Sequence, residues 1–365
     1  MKIGRILRTV VAVCFAAGAA WASPEESARG VLERFIGERA GDFALESIPK
    51  AGEKDVYEIS ASEGKVRVAG SSGVAICRGA YDYLKETCNV LFSWEGKRID
   101  LPESFPDYAK KRVECPHQYV HYLNQCTFSY SMPWWKWNRW EQEIDWMALH
   151  GINMPLAMFG QEMVWERVWK EFGMTDEDLA EFFSGPAYLP FFHMGCLYEH
   201  EGPLPGNWIE QQNKLQKRIL ARERELGMTP VSQAFAGFVP YAFAKAHPEL
   251  NIIKGDEWCM FESTLILSPS EPMFVEIGKR FIEEYTKEYG TDHLYMSDTF
   301  IEMKPTFPAE TRLQNYAEMG EGVYRAIAAA DPDGVWIMMG WPFIVLADYW
   351  GEEEIEAMFS KVPQD

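Results

Sequence analysis

Two carboxylates four residues apart, Asp298 and Glu302, close the apolar run in "DHLYMSDTFIEMKP", residues 292–305. Ionised side chains are seldom set beside a buried strand without a partner or a task. Paired carboxylates are the equipment of glycoside hydrolysis: one protonates the leaving oxygen and the other serves as nucleophile or base, about 5 to 9.5 Å away. If the chain stays extended past the strand, four residues span about 13 Å. That is too far for the close pair of a retaining route. Glu302 is therefore the candidate acid, and Asp298 an orienter or hydroxyl binder. An N-cap or a loop ion pair is the structural alternative for Glu302.

Other residues suit the same chemistry. Asn124, two residues before Cys126, offers both a donor and an acceptor, as sugar hydroxyls require. Trp258 and Trp341 are candidate flat platforms for a sugar ring, although a Trp in an aromatic-rich chain is more often core. Trp341 directly follows an apolar run and a Gly. Glu162 in "FGQEMVW" is a weaker second carboxylate, because it sits near a helix start where the dipole favours an acid. The seven His form no H-E-x-x-H pattern, and "YEHEG" around His200 reads as a solvated loop. There is no C-x-x-C zinc spacing, no G-x-S-x-G elbow and no P-loop. No metal or cofactor is expected. Cys77 and Cys88 are a candidate disulfide in an oxidising compartment, with two buried free thiols the commoner arrangement.

A repeated rhythm positions these residues. "EQEIDWMALHGINMPLAM", "KLQKRILARERELGMTPVSQAF", "GKRFIEEYTKEYGTDHLYMSD" and "GVYRAIAAADPDGVWIMMGW" each read helix, Gly, short apolar strand. Gly151, Gly227, Gly290 and Gly334 are expected in the left-handed C-cap conformation. "HQYVHYLNQCT" adds an earlier strand. Alternating helices and buried strands imply a parallel sheet. The segments after the strands are long and aromatic, as on the active face of a (β/α)8 barrel, and no G-x-G-x-x-G supports a Rossmann alternative. About five strands are visible where a closed barrel has eight. The chain stops at "KVPQD", where a sixth would begin, and reads as interrupted.

Ahead of the barrel portion, residues 113–365, lies a small α/β module, residues 24–112. "SARGVLERFIGERAGDF" has the spacing of an amphipathic helix. "DVYEISASEGKVRVAG" is two alternating strands about a turn, and Ser72 opens a second helix. "VLFSWEGKRIDLP" returns as strands, and "ESFPDYAKKR" reads as a linker. Residues 1–22 read as a signal peptide, with a basic start, an apolar core too short to span a bilayer, and "AWA" before Ser23. Export to the periplasm or the exterior is expected, with no membrane attachment afterwards. A formal charge of −20 excludes a nucleic-acid footprint, and 14% aromatic residues exclude disorder.

"YLNQCTFSYSMPWWKWNRWEQEIDWMALHGINMPLAMFGQE" resembles the barrel opening of glycoside hydrolase family 89, the α-N-acetylglucosaminidases. "FFSGPAYLPFFHMGCL", "GPLPGNW", "GMTPVSQAFAGFVP", "YGTDHLYMSDTFIEM" and "VWIMMGW" continue the likeness in order over residues 24–365. The resemblance implies a small α/β domain, a (β/α)8 barrel and a C-terminal helical domain, the last without counterpart here. It implies exo-acting release of terminal α-linked N-acetylglucosamine with retention, using two glutamates. Glu302 matches the general acid/base, while the nucleophile has no counterpart among these residues. Asn124, Cys126, Tyr130, Trp258, Asp298 and Trp341 match positions lining the sugar pocket. Ile301, Phe191 and Phe238 depart from the family pattern of Asn or His, Trp, and His respectively. Little or no hydrolysis is expected of these residues by themselves. A sugar-binding role without catalysis and a non-functional remnant are the alternatives.

Overall fold

The computed structural model describes residues 22–304 and 307–363; most of the expected signal peptide, residues 1–21, lies outside them. Helix α1, Pro24–Ile36, starts at a capping box: the Ser23 hydroxyl accepts from the Glu26 N–H, and the Glu26 carboxylate accepts from the Ser23 N–H. It buries Ala28, Val31, Leu32, Phe35 and Ile36, the face its spacing implies. The helix stops at Gly37 rather than running on to residue 43, and Phe43–Ser47 emerges as strand β1. Strands β2, Val56–Ser62, and β3, Lys65–Gly70, form the expected hairpin. Its turn residues Glu63 and Gly64 both have positive φ, the backbone twist that suits a two-residue hairpin loop. Helix α2, Gly73–Cys88, is capped by the Ser72 hydroxyl.

Two further expectations fail in this module. The polar stretch taken for a linker contains most of strand β4, Tyr108–Glu114, which pairs with β2 at the edge of a sheet ordered β1-β3-β2-β4. Lys110, Lys111 and Arg112 make it look like a tether, yet charge is how natural edge strands avoid further pairing. Here Lys110 and Arg112 bond Glu58, and Lys111 bonds Glu86. Cys77 and Cys88 both lie on α2 as free, buried thiols. Eleven residues of helix separate them by about 16 Å, far beyond disulfide reach.

The second part builds a parallel sheet from very short strands. These are β5 His121–Tyr122, β6 Met154–Pro155 and β7 Ser232–Gln233. A separate antiparallel hairpin of β8, Ile252–Lys254, and β9, Leu265–Leu267, follows. The sheet resumes with β10 Leu294–Met296 and β11 Val335–Ile337. β5 pairs with β6, a Leu156–Val231 bridge joins the β6 segment to that of β7, and β10 lies between β7 and β11. All these pairings are parallel, and the strand order follows the chain. Helices α3 Trp137–Leu149, α4 Gln161–Glu171, α5 Trp208–Glu225, α6 Pro272–Tyr289 and α7 Arg312–Ala328 pass between strands, and α8 Glu352–Phe359 packs on α7. This is the α/β architecture of a TIM barrel, represented among the described residues by the five strands legible in the sequence.

Gly151, Gly227 and Gly290 adopt φ of +76°, +82° and +76° at the helix stops, although Gly290, with ψ −177°, is not in the left-handed helical conformation expected. Gly334 does not take a positive φ. A Cβ there would sit 2.7 Å from Ile327 Cγ2 and 3.2 Å from the Tyr295 ring, so its role is close approach. The two parts share one apolar core. They are joined by a two-pronged ion pair, Arg34 Nε and Nη2 to Asp145 at 2.6 and 2.8 Å, and by the Val74 N–H to the Leu226 carbonyl. Among the described residues no helix is long and apolar enough to cross a membrane.

Candidate active site

The C-terminal ends of the parallel strands carry the polar residues. Asp298, two residues past β10, is 3% exposed. Its Oδ1 accepts the Met339 N–H at 2.7 Å from the segment after β11, and its Oδ2 has no partner. Burial pushes its carboxyl up to about 6, against the opposing pull of the Met339 N–H. The chain then turns at once. Phe300 sits at φ +59°, and the Met303 N–H reaches back to the Phe300 carbonyl. The extended path expected from Asp298 to Glu302, and the 13 Å separation that followed from it, therefore do not hold. A Phe in the left-handed region is strained, and such residues gather where function over-determines the backbone.

The turn delivers Glu302 between two indoles. Trp258 Nε1 donates to Glu302 Oε2 at 2.5 Å, and Trp341 Nε1 donates to Oε1 at 2.8 Å. Trp258 comes from the loop between β8 and β9. Trp341 follows β11 directly, after Gly340 at φ +54° reverses the chain. Each carboxylate oxygen thus receives a charge-assisted hydrogen bond from a different loop. Both tryptophans were expected as platforms for a sugar. The Trp258 ring instead lies against Phe191 and Phe261, at centroid distances of 5.4 and 5.7 Å, and presents its N–H edge to the site. Trp341 is 42% exposed, which leaves its ring open to stacking.

Beside this clamp lies a wall of sulfur and hydrocarbon. Met194, Cys196 and Ile301 are buried together, with Cys126, Phe191, Trp258 and Met339 packed on them. The Cys126 Sγ is 3.9 Å from Met194 Sδ. Burial, and secondarily the Glu302 charge, pushes the Cys126 and Cys196 thiols up. Phe238 packs where Gly195, at φ +73°, has no side chain: a Cβ there would lie 1.9 Å from the Phe238 ring.

The structure thus brings Glu302, Trp258, Trp341 and Cys126 together, with Asp298 tied in through Met339. Asn124 and Tyr130 stay at the surface. Asn124 Oδ1 accepts the Thr127 N–H and so starts the single helical turn Thr127–Tyr130, and Tyr130 is 72% exposed. Neither hydrogen-bonds to Asp298 or Glu302. Buried polar atoms without partners at the strand ends include Gln125 Oε1 after β5, Gln233 Nε2 at the end of β7, and Asp298 Oδ2 and Thr299 Oγ1 after β10. Unpaired buried polar groups are costly unless a ligand or water meets them. Gln125, Gln233 and Thr299 were not singled out from the sequence, although a polar residue closing an apolar run was the available signal.

Glu162 sits in the first turn of α4, as its position implied. It is buried, and its Oε1 meets His193 Nε2 at 2.8 Å. His193 carried no local sequence signal.

Similarity to known proteins bears on the family and the fold. Residues 120–365 match the family model described as the alpha-N-acetylglucosaminidase (NAGLU) tim-barrel domain, and residues 26–107 match the corresponding N-terminal domain. The human alpha-N-acetylglucosaminidase is 40% identical across 97% of this chain and 49% of that protein. The family 89 glycoside hydrolase of Clostridium perfringens, solved with its substrate GlcNAc-alpha-1,4-galactose, superposes with a TM-score of 0.83 at 29% identity, covering 92% of this chain and 38% of that one. The same enzyme with PUGNAc gives 0.81 at 30% identity, covering 91% and 38%. The chain spans about half the length of the human relative. Glu302 held by two loops past the strands of a barrel, and a family model covering most of the sequence, lead to one conclusion: this chain belongs to the α-N-acetylglucosaminidase family of glycoside hydrolases.

Proposed function

We propose that this site takes a terminal α-linked N-acetylglucosamine, and that Glu302 is the general acid/base of its exo-acting release with retention. The observation that carries this reading is the pair of indole N–H groups on the two Glu302 oxygens. They fix the carboxylate plane at the mouth of the barrel, as proton transfer to a glycosidic oxygen requires. The partnerless Asp298 Oδ2, Gln125 Oε1, Gln233 Nε2 and Thr299 Oγ1 supply hydrogen bonds for hydroxyl or acetamido groups. Open Trp341 supplies a stacking face, with Asn124, Cys126 and Tyr130 on the flank. A retaining route needs a second carboxylate as nucleophile, and the family resemblance assigns none among these 365 residues. Residues 1–365 are accordingly proposed to bind the sugar and to turn it over slowly or not at all. The N-terminal segment is proposed to direct export, with a mature protein that begins at Ser23.

The test pairs calorimetric titration of N-acetylglucosamine with an assay of 4-nitrophenyl α-N-acetylglucosaminide. Saturable binding that weakens in Glu302→Ala, with little turnover, is the expected result. Binding that survives Glu302→Ala unchanged would favour a non-catalytic sugar-binding protein, and no binding at all would remove the reading.

A further inference from the structure

We infer that the buried Glu162–His193 pair is a positioning device that sets the Trp258–Glu302 hydrogen bond. The inference rests on the reading of Glu302 as the acid/base. Both side chains are nearly inaccessible, 4% and 3% exposed. Glu162 is anchored on α4. His193 ends the five-residue helix Leu189–His193, which has Pro190 in its first turn and no side-chain cap. So short a helix does not hold itself in place. Residues two apart on a helix point to nearly opposite sides, and here they do so with consequence. His193 reaches Glu162, while Phe191 packs on Trp258 at 5.4 Å.

The chain leaving this helix braces the same loop again. The Cys196 N–H bonds the Phe191 carbonyl, and the Thr264 hydroxyl donates to the Gly195 carbonyl at 2.7 Å. Thr264 closes the Trp258 loop through its carbonyl, which accepts the Gly255 N–H at 2.9 Å. A continuous set of contacts therefore runs from Glu162 through His193, Phe191 and Gly195 to Trp258, and from Trp258 to Glu302. The apolar contacts in that set fix distance but tolerate sliding. The buried Glu162–His193 hydrogen bond is the directional side-chain contact between α4 and the short helix, and it fixes that helix's rotation. Among the described residues no hydrogen bond leads from Glu162 or His193 to the Trp341 loop, which follows β11.

The test is indole N–H spectroscopy of ¹⁵N-tryptophan-labelled protein, with the Trp258 and Trp341 signals assigned by Trp258→Phe and Trp341→Phe. In Glu162→Ala the Trp258 signal should move upfield, toward the position of an unbonded indole, while Trp341 and the remaining tryptophans hold. Glu162→Gln keeps an acceptor for the imidazole N–H and should restore the Trp258 signal. A folded Glu162→Ala with an unmoved Trp258 signal would overturn the inference. So would a shift spread over all indoles, which is the mark of general loosening. If Glu162→Ala does not fold, Glu162→Asp, which withdraws the carboxylate by one methylene, is read by the same criteria. N-acetylglucosamine titration of the wild type separates the two readings. No sugar binding alongside a selective Trp258 shift would sink the sugar site and leave the positioning geometry intact. Binding with no such shift would do the reverse.

Discussion

Asp298→Asn should make the protein more stable at neutral pH and leave it unchanged in acid. The wild-type carboxyl is held at about 6 in the folded chain, against 3.8 for a free side chain. Between those two values the native state carries a proton that the unfolded chain has released. Stability contributed by that proton is complete below about pH 4 and is lost as pH rises through about 6. Raising a carboxyl from 3.8 to about 6 is worth about 3 kcal/mol. The amide imitates the protonated acid at every pH. Its Oδ1 still accepts the Met339 N–H, and its NH2 takes the place of the partnerless Oδ2. At about 2.1 cal/mol/K per residue, a chain of this length converts 3 kcal/mol into about 4 °C. Thermal unfolding followed by circular dichroism from pH 4 to 8 should therefore show Asp298→Asn melting with the wild type near pH 4 and about 4 °C higher at pH 7.5. A gap that is constant with pH would refute the reasoning, since only the titrating part depends on the buried carboxyl. A variant that gains stability and loses N-acetylglucosamine affinity would mark Asp298 as a residue kept at a cost for binding.

Three further outcomes follow from the packing. Arg34→Ala leaves the buried Asp145 carboxylate, among the described residues, with Arg222 at 3.7 Å as its remaining ion-pair partner; a loss of roughly 3 kcal/mol, measured by urea unfolding, is expected. Gly195→Ala combines a φ of +73° with a Cβ 1.9 Å from the Phe238 ring. It should cost about 2–4 kcal/mol and also weaken N-acetylglucosamine binding, because Gly195 braces the Trp258 loop. Ser72→Ala removes the hydroxyl that accepts the Ala75 N–H at 3.0 Å and should cost about 1 kcal/mol with no effect on sugar binding.

What the sequence discloses depends on how local the cause is. The helix–Gly–strand rhythm was readable because periodicity, C-cap glycines and short apolar runs are all encoded within about 20 residues. Glu302, Trp258 and Trp341 were each identifiable by type. Their meeting was not, because the partners lie 44 and 39 positions away along the chain. The turn after Asp298 escaped for a different reason. Phe300 adopts a backbone conformation that no rule assigns to a Phe, so an extended path was the reasonable expectation. The edge strand at 108–114 was misread because the charge that protects an edge is also the charge of a tether. Glu162 was placed correctly at a helix start, but its pairing was not legible, since its partner His193 belongs to a helix too short to show a period.

The strand order of the second part has a consequence for how the molecule comes together. Each parallel strand lies beside the one made just before it, so every new strand–helix unit docks on a surface already built. Contacts of this kind close modest loops, which favours assembly in the direction of synthesis. The clamp on Glu302 is the exception, because its second indole arrives only after β11. Amide exchange should record that history. Protection should be greatest at β10, flanked on both sides, and lower at Val335–Ile337, which among the described residues has a strand partner on one side only. Glu302 would then be the group whose environment is completed last and released first.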